Sequence, residues 1–270
     1  MLKTEMRNPK SMHIDNMSSL DIARLMSEEN AVAVKAVDAE CEHIAAAVDA
    51  VANAFDHGGR LIYTGAGTSG RLGVLDASEC PPTFGVPNGM VVGVIAGGYE
   101  RLVTAGESAE DSGEAGINDL KALNINENDV IVGISASGGA AYVNDSLSYA
   151  KSLGCTTVGV TSNAGSPLDR VADISICTDT GAEVVTGSTR LKAGTAQKLV
   201  LNMISTGAMI KTGYVYENLM INLKPSNKKL HTRVISIVAE ISGKTEKEAE
   251  KALDMCDWDI RKACDMLKSV

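Results

Sequence analysis

The chain has 270 residues, 44% of them hydrophobic, and a formal net charge of −9. That length builds one large domain, or one domain with a small appendage. The negative balance argues against nucleic acid or an anionic membrane surface as the main partner. No apolar run approaches the roughly 18 residues of a membrane span, and no secretory h-region opens the chain. The six cysteines form no CxxC pair and no zinc-ligand spacing, so they read as reduced thiols and the expected address is the cytoplasm.

Residues 1–18 are polar, carry Pro9 and read as an extended arm. Ser18 or Ser19 can cap a first helix near 20–27. An alanine-rich second helix is expected over 31–55 and is stopped by Gly58-Gly59. Its apolar positions Val34, Val37, Cys41, Ile44, Val48 and Val51 keep a 3–4 spacing. The period then changes. Short apolar runs at 61–64, 91–96, 130–135, 156–161 and 174–177 alternate with helical stretches. Such alternation predicts βαβ units and an α/β fold built on a five-stranded parallel sheet with helices on both faces. A long amphipathic helix is expected over 190–210. After Pro225 three short charged helices are expected, over 227–240, 244–254 and 257–269, with Thr245 and Glu248 in capping-box positions. The organisation expected is an N-terminal arm and helices at 1–57, a sheet domain at 58–224 and a small helical module at 225–270.

The chemistry concentrates where strands end. Leu61-Ile62-Tyr63-Thr64 runs into Gly65-Ala66-Gly67-Thr68-Ser69-Gly70 and then into a helix-like segment at 72–77. Glycines bring backbone N–H groups close to an anion, a helix N-terminus favours negative charge, and Thr68 and Ser69 add hydroxyls. A second such turn is Ser135-Ala136-Ser137-Gly138-Gly139, and a third is Thr161-Ser162-Asn163-Ala164-Gly165-Ser166. One Gly/Ser turn alone is ordinarily a loop. Three on one edge of a parallel sheet predict a phosphate or sugar-phosphate site. The spacing Gly65-x-Gly67-x-x-Gly70 also matches a dinucleotide fingerprint, but hydroxyls fill its gaps and no acidic residue ends the next strand at Ala96-Gly97.

Carboxylates Asp76, Glu79, Glu107, Glu110, Asp111 and Glu114 follow strands near the same edge. Most residues in such places cap or solvate helices. Glu79 stands out because Pro81-Pro82 is expected to end the helix and stiffen the turn beside it. A carboxylate held beside an anion site can serve as general acid or base. Among the basic residues near glycine-rich or apolar segments, Lys192 and His231 are the candidates to complete an anion site.

The stretch Gly65-Ala-Gly-Thr-Ser-Gly-Arg-Leu-Gly-Val-Leu-Asp-Ala-Ser-Glu-Cys-Pro-Pro-Thr83 resembles the signature of the N-acetylmuramic acid 6-phosphate etherase family. Arg7-Asn8-Pro9, Ile95-Ala-Gly-Gly98, Glu107-Ser-Ala-Glu-Asp-Ser112, the run from Glu183 to Lys198 and Lys229-Leu-His231 support it, so the resemblance covers almost the whole chain. It implies a sugar isomerase (SIS) domain of flavodoxin-like type, a homodimer, and no metal or other cofactor. It implies cleavage of the lactyl ether at C3 of a phosphorylated amino sugar, within recycling or catabolism of cell-wall sugar. Carried over residue by residue, it makes Glu79 the acid that protonates departing lactate and Glu110 the base at C2. Thr68, Ser69, Ser135 and Ser137 match the hydroxyls that hold the sugar phosphate. Where the family continues Arg-Thr-Pro after Ser137-Gly138, this chain has Gly139-Ala140-Ala141, which leaves Lys192 or a partner subunit to supply the missing cation. The tail around Asp257-Trp258 resembles a ubiquitin-associated-like three-helix module. The competing expectation is a non-catalytic sugar-phosphate-binding regulatory protein.

Overall fold

The computed structural model describes every residue except Met1, Ala105, Glu107, Lys224, Ser226, Asn227, Ser269 and Val270. Among the sequence expectations, Glu107, the domain limit at 224 and the helix limits at 227 and 269 fall on those residues and lie outside the described ones. The chain divides into two compact units. The first is Met1–Ser78 with Gly89–Ala208, and the second is Glu79–Asn88 with Met209–Val270.

The first unit opens with three 3-10 turns, at Lys3–Glu5, Pro9–Ser11 and Ile14–Asn16, rather than with an extended arm. Its polar side chains are engaged by the rest of the unit, which is why it folds up. Thr4 is fully buried, and Asn8 Nδ2 donates to the Glu29 carboxylate at 2.8 Å and to the Ala182 carbonyl at 3.2 Å. Two helices follow, α1 (Ser19–Asp38) and α2 (Cys41–Asp56). Ser18 caps α1 by accepting from Asp21 N at 3.2 Å. The break between them falls at Ala39-Glu40, not near 28–30 as the pattern predicted. Glu29 and Lys35 continue α1, and the turn closes through Glu40 N to Val37 O. Neither Gly nor Pro marks that break; on either side of it Val37 and Ile44 are buried while Val34 and Cys41 are exposed.

Five strands, β1 (Leu61–Gly65), β2 (Val91–Ile95), β3 (Val130–Ile134), β4 (Thr156–Thr161) and β5 (Ile174–Cys177), form one parallel sheet in the order β2-β1-β3-β4-β5. Gly65 pairs with Ile95 on one side and with Ile134 on the other, so β1 and β3 end level. Ile62 and Ile131 point to one face. There they form a core with Leu120, Tyr142, Val143 and Leu147 from α4 (Gly113–Ala122) and α5 (Ala141–Ser152), and Leu168 from α6 (Pro167–Val171). Tyr63 points to the other face, where its hydroxyl donates to Asp76 of α3 (Gly67–Phe84) at 2.7 Å. Asp76 also accepts from Asn202 of α7 (Lys192–Lys211) at 2.6 Å, so this candidate carboxylate is part of the framework.

Helix α3 runs through Pro81 and Pro82 instead of ending before them. Each proline costs the helix its N–H bond and crowds the carbonyl four residues back, yet the helix continues to Phe84. The stop is Gly85, at φ +67, whose N–H bonds Pro81 O at 2.9 Å. In the second unit a short hairpin, β6 (Val215–Tyr216) and β7 (Leu219–Met220), precedes α8 (Lys228–Ser242), α9 (Glu246–Met255) and α10 (Ile260–Lys268). The hairpin was not foreseen, since two-residue strands carry no periodicity. The three helices close around Val234, Val238, Ala249, Leu253, Ile260 and Ala263. The capping box at Thr245 and Glu248 is present. None of the described helices is long and apolar enough to cross a membrane.

Candidate functional site

In this strand order, the connection from β1 leads to β2 on one side while β3 and β4 lie on the other. The carboxyl ends of β1 and β3 therefore flank the crevice where open α/β sheets bind ligands. The two hydroxyl turns leave the sheet at that point, side by side. After β1 the chain folds back so closely that a Cβ on Gly65 would lie 2.8 Å from Gly70 N, and one on Gly70 would lie 2.5 Å from Gly65 O. Gly67 starts α3 at φ +53, a conformation that favours glycine. Thr68 is half-buried, and Ser69 is 8% exposed and donates to Gln197 Oε1 of α7 at 3.0 Å.

After β3, Ser135 Oγ accepts from Gly138 N at 3.1 Å, and Ser137 Oγ accepts from Gly139 N at 3.2 Å. Each hydroxyl thus meets a backbone donor with its lone pairs, and one of the two can donate to the other. The two oxygens lie 3.5 Å apart. Gly138 takes φ +71 and packs so tightly that a Cβ there would come 2.1 Å from Ser166 Oγ. Helix α5 begins straight after this turn, and its N-cap Ala140 offers no side-chain cap. Its first-turn N–H groups are left without a side-chain cap at the carboxyl end of the sheet.

The third turn plays a different part from the one its composition suggested. Thr161, Ser162, Asn163 and Ser166 are all buried. Ser166 Oγ caps α6 by accepting from Asp169 N at 3.3 Å. Asn163 Nδ2 donates to Ala136 O at 2.9 Å and to Thr4 Oγ1 at 3.1 Å, while Asn163 Oδ1 accepts from Lys3 N at 2.9 Å. This turn braces the Ser135–Ser137 turn and fastens the N-terminal arm to it.

The two carboxylates proposed for acid–base work are exposed. Glu79 lies on the late turns of α3 and belongs to the second unit; Glu110 lies in a 3-10 turn, Ser108–Asp111, that packs against α5 in the first. Arg71, in the first turns of α3, reaches the segment leading towards Glu110. Its Nε donates to Leu102 O at 3.1 Å and its Nη2 to Thr104 O at 3.2 Å. The structure thus ties the β1 turn to the segment before Glu110 by one guanidinium.

Lys192 does not stand free beside the hydroxyl turns. It is 3% exposed, and its Nζ lies 2.5 Å from Glu29 Oε2. A cation this buried requires a counter-charge. Glu29 also meets Lys10 Nζ at 3.0 Å, and burial pushes its carboxyl up while the bonds from Lys192, Lys10 and Asn8 prevail and hold it at about 2. His231 sits on α8 in the second unit, its ring edge-on to Trp258 with centroids 4.3 Å apart. Among the described residues no group of three or more His, Cys, Asp or Glu side chains is placed to hold a metal ion. Gln197 and Glu29 escaped the sequence reading as site residues, Arg71 was passed over in favour of Lys192 and His231, and Asn163 was read only as part of the third turn. Gln197 and Arg71 lie inside the stretches that carry the family resemblance, which was the available signal.

Three family models match the chain. They are the glucokinase regulatory protein N-terminal SIS domain over residues 43–151, the SIS domain over 106–206, and the C-terminal lid domain of glucokinase regulatory protein over 217–264. An N-acetylmuramic acid 6-phosphate etherase of Salmonella typhi is 53% identical over 262 residues, which cover 97% of this chain and 88% of that one. One from Vibrio vulnificus (strain YJ016) is 52% identical over 268 residues, covering 99% and 89%. Among solved structures, a phosphoheptose isomerase from Francisella tularensis superposes with a TM-score of 0.53 at 18% identity, covering 71% of this chain and 98% of that one. A phosphoheptose isomerase from Neisseria gonorrhoeae gives 0.51 at 17% identity, covering 70% and 96%. At those identities the likeness shows the fold.

Proposed function

The chain belongs to the N-acetylmuramic acid 6-phosphate etherase family, a family of carbon–oxygen lyases, and we propose that it cleaves the ether joining D-lactate to C3 of N-acetylmuramic acid 6-phosphate. The products are N-acetylglucosamine 6-phosphate and D-lactate. The observation that carries this reading is 53% identity sustained over 97% of the chain. The paired hydroxyl turns at the ends of β1 and β3 support it, because they offer an anion four hydroxyls and two helix N-termini at one sheet edge.

In this reading Thr68, Ser69, Ser135 and Ser137 hold the phosphate. The sugar ring opens to a C1 aldehyde, which acidifies the hydrogen on C2. Glu110 takes that proton. The electron pair left on C2 forms the C2–C3 double bond as the C3–O bond breaks, and Glu79 gives a proton to the departing lactate oxygen. Water then adds to C3 of the unsaturated aldehyde, with Glu79 accepting its proton, and Glu110 returns a proton to C2. The net change is hydrolysis of one ether, and both carboxyl groups end as they began. Each proton transfer is of the kind that positioned side chains accelerate by about 10²–10⁴-fold. Lys192 has no direct contact in this scheme, because it is committed to Glu29, and His231, whose ring packs edge-on against Trp258, is kept as a candidate contact. A homodimer working in the cytoplasm belongs to the same proposal.

A second reading is a sugar-phosphate-binding regulatory protein without catalysis. The matches to the two glucokinase regulatory protein domains favour it, as does Gly139-Ala140-Ala141 in place of an Arg and a Thr. Incubation of the purified chain with N-acetylmuramic acid 6-phosphate decides between them. Release of D-lactate supports the lyase, and stoichiometric binding without lactate supports the regulator.

A further inference from the structure

Ser69 is a phosphate-turn hydroxyl whose hydrogen is already in use. Its Oγ–H donates to Gln197 Oε1 at 3.0 Å, and a serine has a single hydrogen to give. Gln197 is 1% exposed, and its Nε2, which carries two hydrogens, has no partner among the described residues. A buried amide nitrogen left without an acceptor is costly, and native interiors rarely keep one. The scaffold around it is firm. The carboxylate of Glu183, fully buried, accepts from Lys192 N and Ala193 N at 3.0 Å each and fixes the start of α7. Close by, Gly194 lies so near the β1 turn that a Cβ would contact Thr68 Cγ2 at 3.5 Å. Gln197 follows on the same helix.

We propose that Gln197 is a positioning residue that switches the Ser69 hydroxyl from protein-facing to ligand-facing. Rotation about its last side-chain bond exchanges Oε1 and Nε2. Nε2 then donates to Ser69 Oγ, and the Ser69 hydrogen is released to an oxygen of the incoming phosphate. The orphan nitrogen gains its acceptor, and the group left over is a carbonyl oxygen, which interiors tolerate better. The resulting chain N–H···O–H···O⁻ ends on a charge, so each bond in it strengthens the next. No covalent bond changes. The inference rests on Ser69 touching the phosphate, as the proposed function has it, and adds the device that frees its hydrogen.

The test is a double-mutant cycle on the full chain with Gln197→Met and Ser69→Ala. It is read as KM and kcat for lactate release and as the dissociation constant for N-acetylglucosamine 6-phosphate. Gln197→Met should raise both KM and that dissociation constant about fivefold to tenfold and leave kcat within about twofold. In the Ser69→Ala background it should change neither. Gln197→Glu, whose carboxylate only accepts once ionised, should weaken binding more than Gln197→Met at pH values where it is ionised, by holding the Ser69 hydrogen. It also covers the chance that the Met variant folds poorly. Equal effects of Gln197→Met in both backgrounds, or Gln197→Glu binding as well as the parent, would overturn the switch while leaving the phosphate assignment intact. An unchanged KM and dissociation constant in Ser69→Ala alone would overturn the Ser69 assignment and the switch with it.

Discussion

Replacing Glu29 by Leu should destabilise the first unit more than any other single change on its surface helices. The side chain is 5% exposed and bonded on both oxygens, by Lys192 at 2.5 Å, Asn8 at 2.8 Å and Lys10 at 3.0 Å. Removing it strands the Lys192 ammonium, itself 4% exposed, and such a loss costs about 3–5 kcal/mol. Linkage gives a similar size. A carboxyl at about 2 in the folded chain against 4.5 in the unfolded one contributes about 3 kcal/mol near neutrality. The sign follows from the lowered value. The contribution is complete above the unfolded pKa and drains away as pH falls from about 5 towards 2. Calorimetric melting at pH 7 should show a drop of roughly 10 °C for Glu29→Leu. The double variant Glu29→Leu with Lys192→Met should recover part of it, since an apolar pair leaves no buried charge. A drop below about 2 °C, additive costs in the double variant, or an undiminished gap between parent and Glu29→Leu at pH 3 would refute the reasoning.

Other consequences are equally direct. Glu79→Gln and Glu110→Gln should each lower kcat by about 10²–10⁴-fold with the fold intact by circular dichroism; full turnover in either removes its assigned role. Gly138→Ala should cost about 1–3 kcal/mol in urea unfolding and raise KM, because φ +71 is strained for alanine and its Cβ would meet Ser166 Oγ at 2.1 Å. An unchanged KM would show that the β3 turn does not grip the ligand. Arg71→Met should lower kcat about tenfold with little change in KM, by freeing Leu102 and Thr104 ahead of Glu110. An effect on KM alone would contradict a role in placing Glu110.

The sheet was legible because each strand is a short apolar run, the first four leading into turns rich in glycine, serine or asparagine, and the predicted limits fall within one residue of those observed. The β1 and β3 turns were legible for the same reason. What escaped depends on partners far along the chain. Nothing local tells that Lys192 meets Glu29, 163 residues away, or that Asn163 turns inward to hold Thr4 and Ala136. The alanine-rich segment reads as helix throughout, so the break at Ala39-Glu40 left no mark in composition. Pro81-Pro82 misled because α3 runs through the pair to Phe84 and stops only at Gly85, against the usual cost of proline there. Ser69 was recognised as a hydroxyl near an anion, yet its bond to Gln197, 128 residues on, decides where its hydrogen points.

The central claim is tested most directly by D-lactate release from N-acetylmuramic acid 6-phosphate with the purified chain. The account predicts equimolar D-lactate and N-acetylglucosamine 6-phosphate, with solvent deuterium appearing at C2 of the sugar when the reaction runs in heavy water. Absence of lactate at high enzyme concentration, with the sugar phosphate bound but unchanged, would contradict it.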